Sequence, residues 1–578
     1  MKKFLFIATL ALAALSSCKK EESLPTGAVS QTDVAYLSVK IASADKHLPS
    51  TKGTGTTPAF YYGSAEEHKV YSADFYFYNE DGSYAMHVNQ GAPTGTENGA
   101  GTQTADNIEW KGDGTIVLRG LKSKAYPSYM AVLLNADATL STGLEHKPMS
   151  SAYNTVAEAI AQTATAPTTW TKFLMTSSTF NNGDAKSGYF CTKLTPDNFQ
   201  ETEAAAKAQP VVAYVERLAA KVQTSNGAAH TDGMYEIGDF AMNGTATTEK
   251  LYAKVEGWGL NATQKTSYIY KHLMVDWSFG TFIWNDAANF RSYWAASPNY
   301  QDAAAVYPQN VAQYTADLPL SYISYSALGV TMGQAAYCRE NTNTTAILQA
   351  NNFNTTVTSV LLKAKVCKAD GVGLSLARYD GTLYELEAYK DRVLAKYKAL
   401  GASTFIPWVS SDGATFTEVD KSYFELANAG DGRVTLKFKA LTGTEKYYQH
   451  TGTGTTAADF TEKTADEATA MLNGVGASKN TTCELYNDGM MYYNVPVEHL
   501  RNSGVSYKDA SYTFPEADYG VVRNHYYLIS IENIRHLGTA VFDPDEIVVP
   551  NDENDKEYYV GAQINILSWK VVSQSVDL

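Results

Sequence analysis

Apolar and polar residues alternate along most of this chain with the two-residue period of a pleated strand. Segments of this kind are Val34–Ile41 (VAYLSVKI), Val70–Tyr78 (VYSADFYFY), Tyr129–Leu134 (YMAVLL), Val211–Val222, Val357–Val366, Tyr526–Ile531 (YYLISI) and Ala562–Val572. Aspartate–glycine pairs, which favour tight turns, punctuate them at Asp81-Gly82, Asp412-Gly413, Asp431-Gly432 and Asp488-Gly489. Two stretches break the pattern. Tyr153, Val156, Ala157, Ile160 and Ala161 fall at helical spacing. Leu386, Tyr389, Val393, Tyr397 and Leu400 form a second stripe, with Thr382 and Glu385 spaced as a capping box and Gly401 at the end.

Many strands with few helices predict β-sandwiches carrying inserted helices. Forty tyrosines in 578 residues suit half-buried pleated surfaces. Three polar stretches are candidate links: Thr51–Thr57 (TKGTGTT), Gln200–Gln209 (QETEAAAKAQ) as the domain boundary, and the acidic Asp543–Asp555.

The N-terminus predicts an address. Lys2 and Lys3 precede an apolar run, Phe4–Leu15, too short to span a bilayer, and Leu15-Ser16-Ser17-Cys18 is a lipoprotein cleavage box. Cys18 is expected to carry lipid, and this lipid is the chain's expected membrane contact. The net charge of −15, without a basic stripe, argues against nucleic acid and anionic membrane partners. The other cysteines, Cys191, Cys338, Cys367 and Cys483, have no metal or redox spacing. Export permits disulfides among them, and scattered buried thiols fit equally well.

Catalytic signatures are missing. The chain has no HExxH, GxSxG, P-loop or SxxK, and its ten histidines are scattered. No enzyme, cofactor or metal is expected. Asp543, Asp545, Glu546, Asp552, Glu553 and Asp555 lack EF-hand spacing and read as a solvated linker.

Several stretches, taken in order, resemble the fimbrillins of Bacteroidales, the type V pilins, and most of all the shaft subunit of their short fimbriae. They include Val70–Gly82, Met130–Asn135, Phe173–Ser178, Val215–Val222, Gly257–Asn261 with Ser267–Lys271, Tyr337–Thr342, Val357–Val366, Arg523–Gly538 and Ala562–Leu578. The resemblance implies a mainly β chain: two transthyretin-like, Greek-key β-sandwich domains, a few inserted helices and an extended C-terminal strand arm. The implied division is a signal peptide at 1–18, a propeptide with the first strand at 19–52, sandwiches at 53–209 and 210–542, and a linker with donor arm at 543–578.

It also implies a mode of action. A lipoprotein precursor reaches the cell surface, where a protease cuts after a basic residue beyond the first strand. That strand is lost, and a strand from the next subunit takes its place. Here the displaced strand is expected at Ala35, Leu37, Val39 and Ile41, which share one apolar face, with the cut between Lys52 and Gly53. The family cut typically follows arginine, whereas the first arginine here is Arg119, so the cut uses Lys52 or Lys46, or another protease makes it. The donor residues are Trp569 and Val571 on one parity, or Val572, Val576 and Leu578 on the other. Implied partners are further copies of the chain, anchor and tip subunits, a processing protease, and a host or bacterial surface receptor in adhesion. The alternatives are a tip or accessory subunit, or a surface glycan-binding lipoprotein with Tyr447-Tyr448 and Tyr492-Tyr493 as an aromatic platform.

Overall fold

The computed structural model describes residues 35–43, 67, 70–91, 108–110, 115–118, 126–158, 161–162, 172–178, 190–273, 294–302, 304–399, 407–473, 481–499, 501, 505–507, 509–550, 567–568 and 570–577. The N-terminal unit is one sheet. Its strands are β1 (Leu37–Ser43), β2 (Ser72–Tyr78), β3 (Tyr84–Gly91), β4 (Ile108–Trp110), β5 (Thr115–Leu118), β6 (Tyr129–Leu134), β7 (Met175–Ser177) and β8 (Val211–Arg217). Two short helices, α1 (Ala138–Gly143) and α2 (Glu203–Ala208), flank it. The strand order is β3-β2-β6-β7-β8-β1-β5-β4.

One face of this sheet closes on its own core, with Leu37, Val39, Phe75, Phe77, Val88, Val132, Leu134 and Ala213 inside. The other face of β2 and β6 is also covered: Tyr76, Tyr78, Ala131 and Leu133 join Leu218, Ile269, Tyr270 and Tyr526 in a second cluster. Burial on both faces explains why β2 and β6 read as nearly unbroken apolar runs.

The chain then crosses into the C-terminal unit without leaving extended structure. β8 ends at Arg217, Leu218 is fully buried, and β9 (Ala219–Asn226) begins at once. The C-terminal strands are β10 (Met234–Ala241), β11 (Thr248–Asn261), β12 (Ala335–Arg339), β13 (Ser359–Cys367), β14 (Met490–Pro496), β15 (His525–Asn533) and β16 (Lys570–Asp577). They form two sheets, β12-β9-β15-β16 and β10-β11-β13-β14, each extended by a two-residue strand. Alternate residues from both, among them Val222, Ile237, Ala253, Leu362, Tyr493, Tyr527 and Ile529, meet in one core. This is sandwich packing.

Between β13 and β14 lies an additional unit. Residues 376–486 build a five-stranded and a four-stranded sheet around the helix α3 (Leu386–Ala399), with a separate core containing Tyr389, Val393, Tyr397, Val409, Leu436 and Leu485. The turn Asp431-Gly432 has φ of 54° and 69°, the left-handed pair that a two-residue hairpin requires.

Several expectations are corrected. The helical stripe through Tyr153–Ala161 is not one helix: a helix ends at Tyr153, and Val156–Ala157 pairs with Ser267–Tyr268 as a strand. Helix α3 is present, but Thr382–Glu385 is a strand, not a capping box. The polar stretch 200–209 holds α2, and the crossing between units comes one strand later. The acidic linker is docked through residue 550. Val548 and Val549 are buried, Val548 N–H donates to Ile323 O at 2.9 Å, and Asn352 Nδ2 donates to Pro550 O at 3.0 Å. Its three apolar residues, Ile547 to Val549, favour burial over solvation. The four described cysteines are free and buried.

Candidate functional site

The residues singled out for strand exchange fall at two places. The first is β1. It runs parallel to β8, from Val39 opposite Val211 to Ser43 opposite Val215, and antiparallel to β5, from Leu37 opposite Leu118 to Lys40 opposite Thr115. Both edges of β1 are therefore paired. Leu37 and Val39 are fully buried, Ala35 packs against the same core, and Ile41 sits opposite Ala213. Removing β1 would leave β5 and β8 about 9.5 Å apart, two inter-strand spacings, with unpaired backbone groups on both sides.

A strap lies across the start of this strand. Tyr36 and Gln200 exchange backbone hydrogen bonds of 2.8 and 2.9 Å. Phe199 anchors the strap in the core and stacks on Tyr126, with ring centroids 4.6 Å apart. Thr202 caps α2 by accepting from Ala205 N–H, and an ion pair joins Glu203 to Lys207. The helix packs over β1 and β5, and only its Ala206 is buried. Ser38 points away from the core, yet it is 0% exposed. Lys40, next on the same face, is exposed, as are Val212 and Tyr214 on the neighbouring β8. The cover is thus local to Ser38, on the strand over which α2 packs.

The second place is β16. It pairs in parallel with β15, from His525 opposite Lys570 to Ile531 opposite Val576. On its other side only Leu567 pairs with it, opposite Lys570. Among the described residues, the stretch carrying Val571, Val572 and Val576 is bound along one edge. Cys18, Lys46, Lys52, Gly53, Trp569 and Leu578 lie outside the described residues.

Between the two places is a set of buried charges that the strand patterns did not announce. Glu216 on β8 pairs with Lys271 at 2.5 Å, both fully buried. Arg523 pairs with Glu340 at 3.2 Å and donates to Ile269 O at 2.9 Å. Lys221 on β9 pairs with Glu67 at 2.7 Å, and Arg217 Nε donates to Glu67 O at 2.8 Å. Burial pushes the Glu216 carboxyl up, while Lys271 and Arg523 pull the other way. Breaking such a pair leaves an uncompensated charge, so the set ties the two units firmly. The sequence signal was three charged residues, Glu216, Arg217 and Lys221, inside otherwise apolar strands, with Arg523 in the turn just before β15.

The aromatic platform does not form. Tyr447, Tyr492 and Tyr493 are buried and Tyr448 half-buried. Among the described residues, no group of acidic, histidine and cysteine side chains is placed to hold a metal ion, and no helix is long and apolar enough to cross a membrane.

Residues 484–575 match the family model described as major fimbrial subunit protein type IV, fimbrillin, C-terminal. The stretch covers β14, β15 and most of β16. A search of curated proteins gives no match. Among solved structures, the chain is similar to a fimbrilin (fimA) from Porphyromonas gingivalis W83, at 13% identity and a TM-score of 0.34 over 94% of this chain and 96% of that one. It is also similar to a fimbrial assembly protein from Parabacteroides distasonis, at 11% identity and a TM-score of 0.27 over 58% and 83%. A third is the tip fimbrial protein Mfa3 from Porphyromonas gingivalis, at 12% identity and a TM-score of 0.26 over 57% and 78%.

Proposed function

We infer that this chain, a fimbrillin by its C-terminal region, is a non-enzymatic structural subunit of a cell-surface fimbria. It is exported as a lipoprotein on Cys18, cut after Lys52, and polymerised by strand exchange with other copies, with anchor and tip subunits at the filament ends. The observation that carries this reading is the contrast between the chain's terminal strands. β1 is paired on both sides, so its removal opens a slot one strand wide. Among the described residues β16 is held along one edge, with Leu567 alone opposite Lys570 on the other, so it can leave its own sheet at the cost of essentially one ladder.

The expected chemistry is β-strand addition: backbone hydrogen bonds supply affinity and alternating side chains supply register. Head-to-tail addition does not close on itself, so it builds a filament. In the precursor, β16 covers the edge of β15 and protects it from chance pairing. The linker is docked through Pro550, so residues before 551 add nothing to the arm's reach. An outward arm favours a shaft position, because a tip subunit needs none. The adhesive receptor is a surface molecule of host or bacterium.

Deleting 571–578 tests the reading. The expected product is a folded monomer that forms no filaments in electron micrographs, while the parent filaments begin at Gly53 by N-terminal sequencing. Normal filaments from the deletion variant, or parent filaments that retain Ala35–Ile41, would overturn it.

A further inference from the structure

We propose that the strap Thr195–Gln209 determines which face of an incoming strand enters the slot. It does so by admitting only a small side chain at the position of Ser38. The inference rests on the strand-exchange reading above and adds to it a specificity-determining element, α2.

Ser38 is on the outward parity of β1, where side chains normally meet solvent. Its neighbours on that face, Lys40, Val212 and Tyr214, are exposed, whereas Ser38 is completely enclosed. Among the described residues its hydroxyl has no hydrogen-bond partner, so the enclosure fits size and not polarity. Ala206 is the one buried residue of α2, and the helix packs over β1 and β5. The strap is fixed at both ends. Phe199 is in the core beside the Tyr36–Gln200 bridge, and Pro210 leads directly into β8. Both anchors other than the bridge belong to the chain that remains after β1 is lost.

The arm reads Lys570-Val571-Val572-Ser573-Gln574-Ser575-Val576-Asp577-Leu578. Its two serines share a parity. Seating Ser573 or Ser575 beneath Ala206 turns Val572, Val576 and Leu578, with Gln574, toward the core that Leu37 and Val39 now fill. The opposite parity would put Val572, Gln574 or Val576 beneath the strap and Ser573, Ser575 and Asp577 in the core. Steric fit under the strap and apolar fit in the core select the same face. The argument holds for either strand direction, because parity does not depend on it. Parity is all-or-none here, since a one-residue slip exchanges every side chain between faces.

The test uses filaments assembled from the full-length chain. Because the native cysteines described are all buried, a cysteine pair reports contact. Ala206→Cys combined with Ser573→Cys or Ser575→Cys should give a ladder of disulfide-linked subunits, and Ala206→Cys with Val572→Cys or Val576→Cys should not. In parallel, Ser573→Tyr with Ser575→Tyr should lower filament yield roughly tenfold or more, since overpacking a closed site costs at least one such factor. Asp577→Tyr, on the same parity but beyond the strap, should assemble normally. Ladders from the valine positions, or full filament yield from the double tyrosine variant, would overturn the role of the strap. If filaments instead survive deletion of 571–578, the strand-exchange reading itself has failed, and the two failures are thereby told apart.

Discussion

The first and last strands of this chain are alike in sequence and unlike in setting. Both are short alternating segments, and both pair in parallel with a partner far away in the chain, β1 with β8 and β16 with β15. Yet β1 is interior to its sheet, roofed by α2 and bound on two edges, whereas β16 is bound along its length on one edge and, among the described residues, meets only Leu567 on the other. Composition alone does not decide whether a strand is removable. What decides is how many ladders it closes and what remains when it is gone. Losing β16 exposes one edge, whereas losing β1 exposes two edges and a core.

The largest effect should come from placing a charge on each strand. Val39→Asp puts a carboxylate at a fully buried position and should cost roughly 3 kcal/mol or more, enough to unfold much of the precursor's N-terminal unit. Val576→Asp should leave a folded precursor that circular dichroism cannot tell from the parent, but it should not assemble. Equal loss of fold from both would erase the distinction between the strands.

Hydrogen exchange would sharpen the comparison with no mutation at all. Amides of Ser38–Ile41 should exchange only with opening of the whole N-terminal unit. Those of 571–577 should exchange through local detachment, at least about tenfold faster. Similar protection in the monomer would mean that the arm is not poised to leave.

The smallest effect is one of pH, and it acts on the half of the sheet remote from β1. His87 on β3 bridges Asp74 at 2.9 Å and Glu145 at 2.7 Å, while Ser141 and Asn89 also donate to Asp74 and Tyr76 stacks on the ring. Burial alone would lower its pKa, but the two carboxylates outweigh it and hold the imidazolium above its usual range. A raised folded-state pKa means that this contribution is complete below the unfolded value of about 6.5 and is lost as pH rises through the folded value. Thermal midpoints should therefore fall modestly as pH rises through that window, and His87→Gln should flatten the dependence. The strap and β1 should not respond. A shift in exchange at Ser38 with the same pH change would show that the two halves are coupled.

Much of the scaffold was legible because local pattern and tertiary burial agree. Tyr129–Leu134 is read to the residue, and Leu386–Ala399 is a helix because Tyr389, Val393 and Tyr397 fall on one buried face. Val156 and Ala157 misled because apolar spacing in a short stretch fits helix and strand alike; the strand wins through Tyr268 and Ser267, more than a hundred residues on. Residues 200–209 read as a boundary because Glu, Ala and Lys look solvated, and a single buried alanine leaves no sequence mark. The inserted unit at 376–486 was hidden for another reason: its strands have the same composition as those around it. Partner strands could not be inferred, since pairing of β1 with β8 spans about 170 residues and no residue type encodes it.

The uninterrupted passage from β8 through Leu218 into β9 has a mechanical meaning. A pull on a filament assembled in this way enters a subunit along the strand seated beside β8. It then continues down the covalent backbone of 211–226 into β9, whose parallel neighbour β15 precedes the arm in sequence. No loop interrupts that line, and the ion pairs at Glu216 and Lys221 stiffen it against bending. Tension is thus directed along strands rather than across them, loading their hydrogen bonds in shear. Under that load the bonds of a ladder must yield together, whereas peeling would open them one by one. A thin thread built this way resists tearing by its geometry even where each contact is weak.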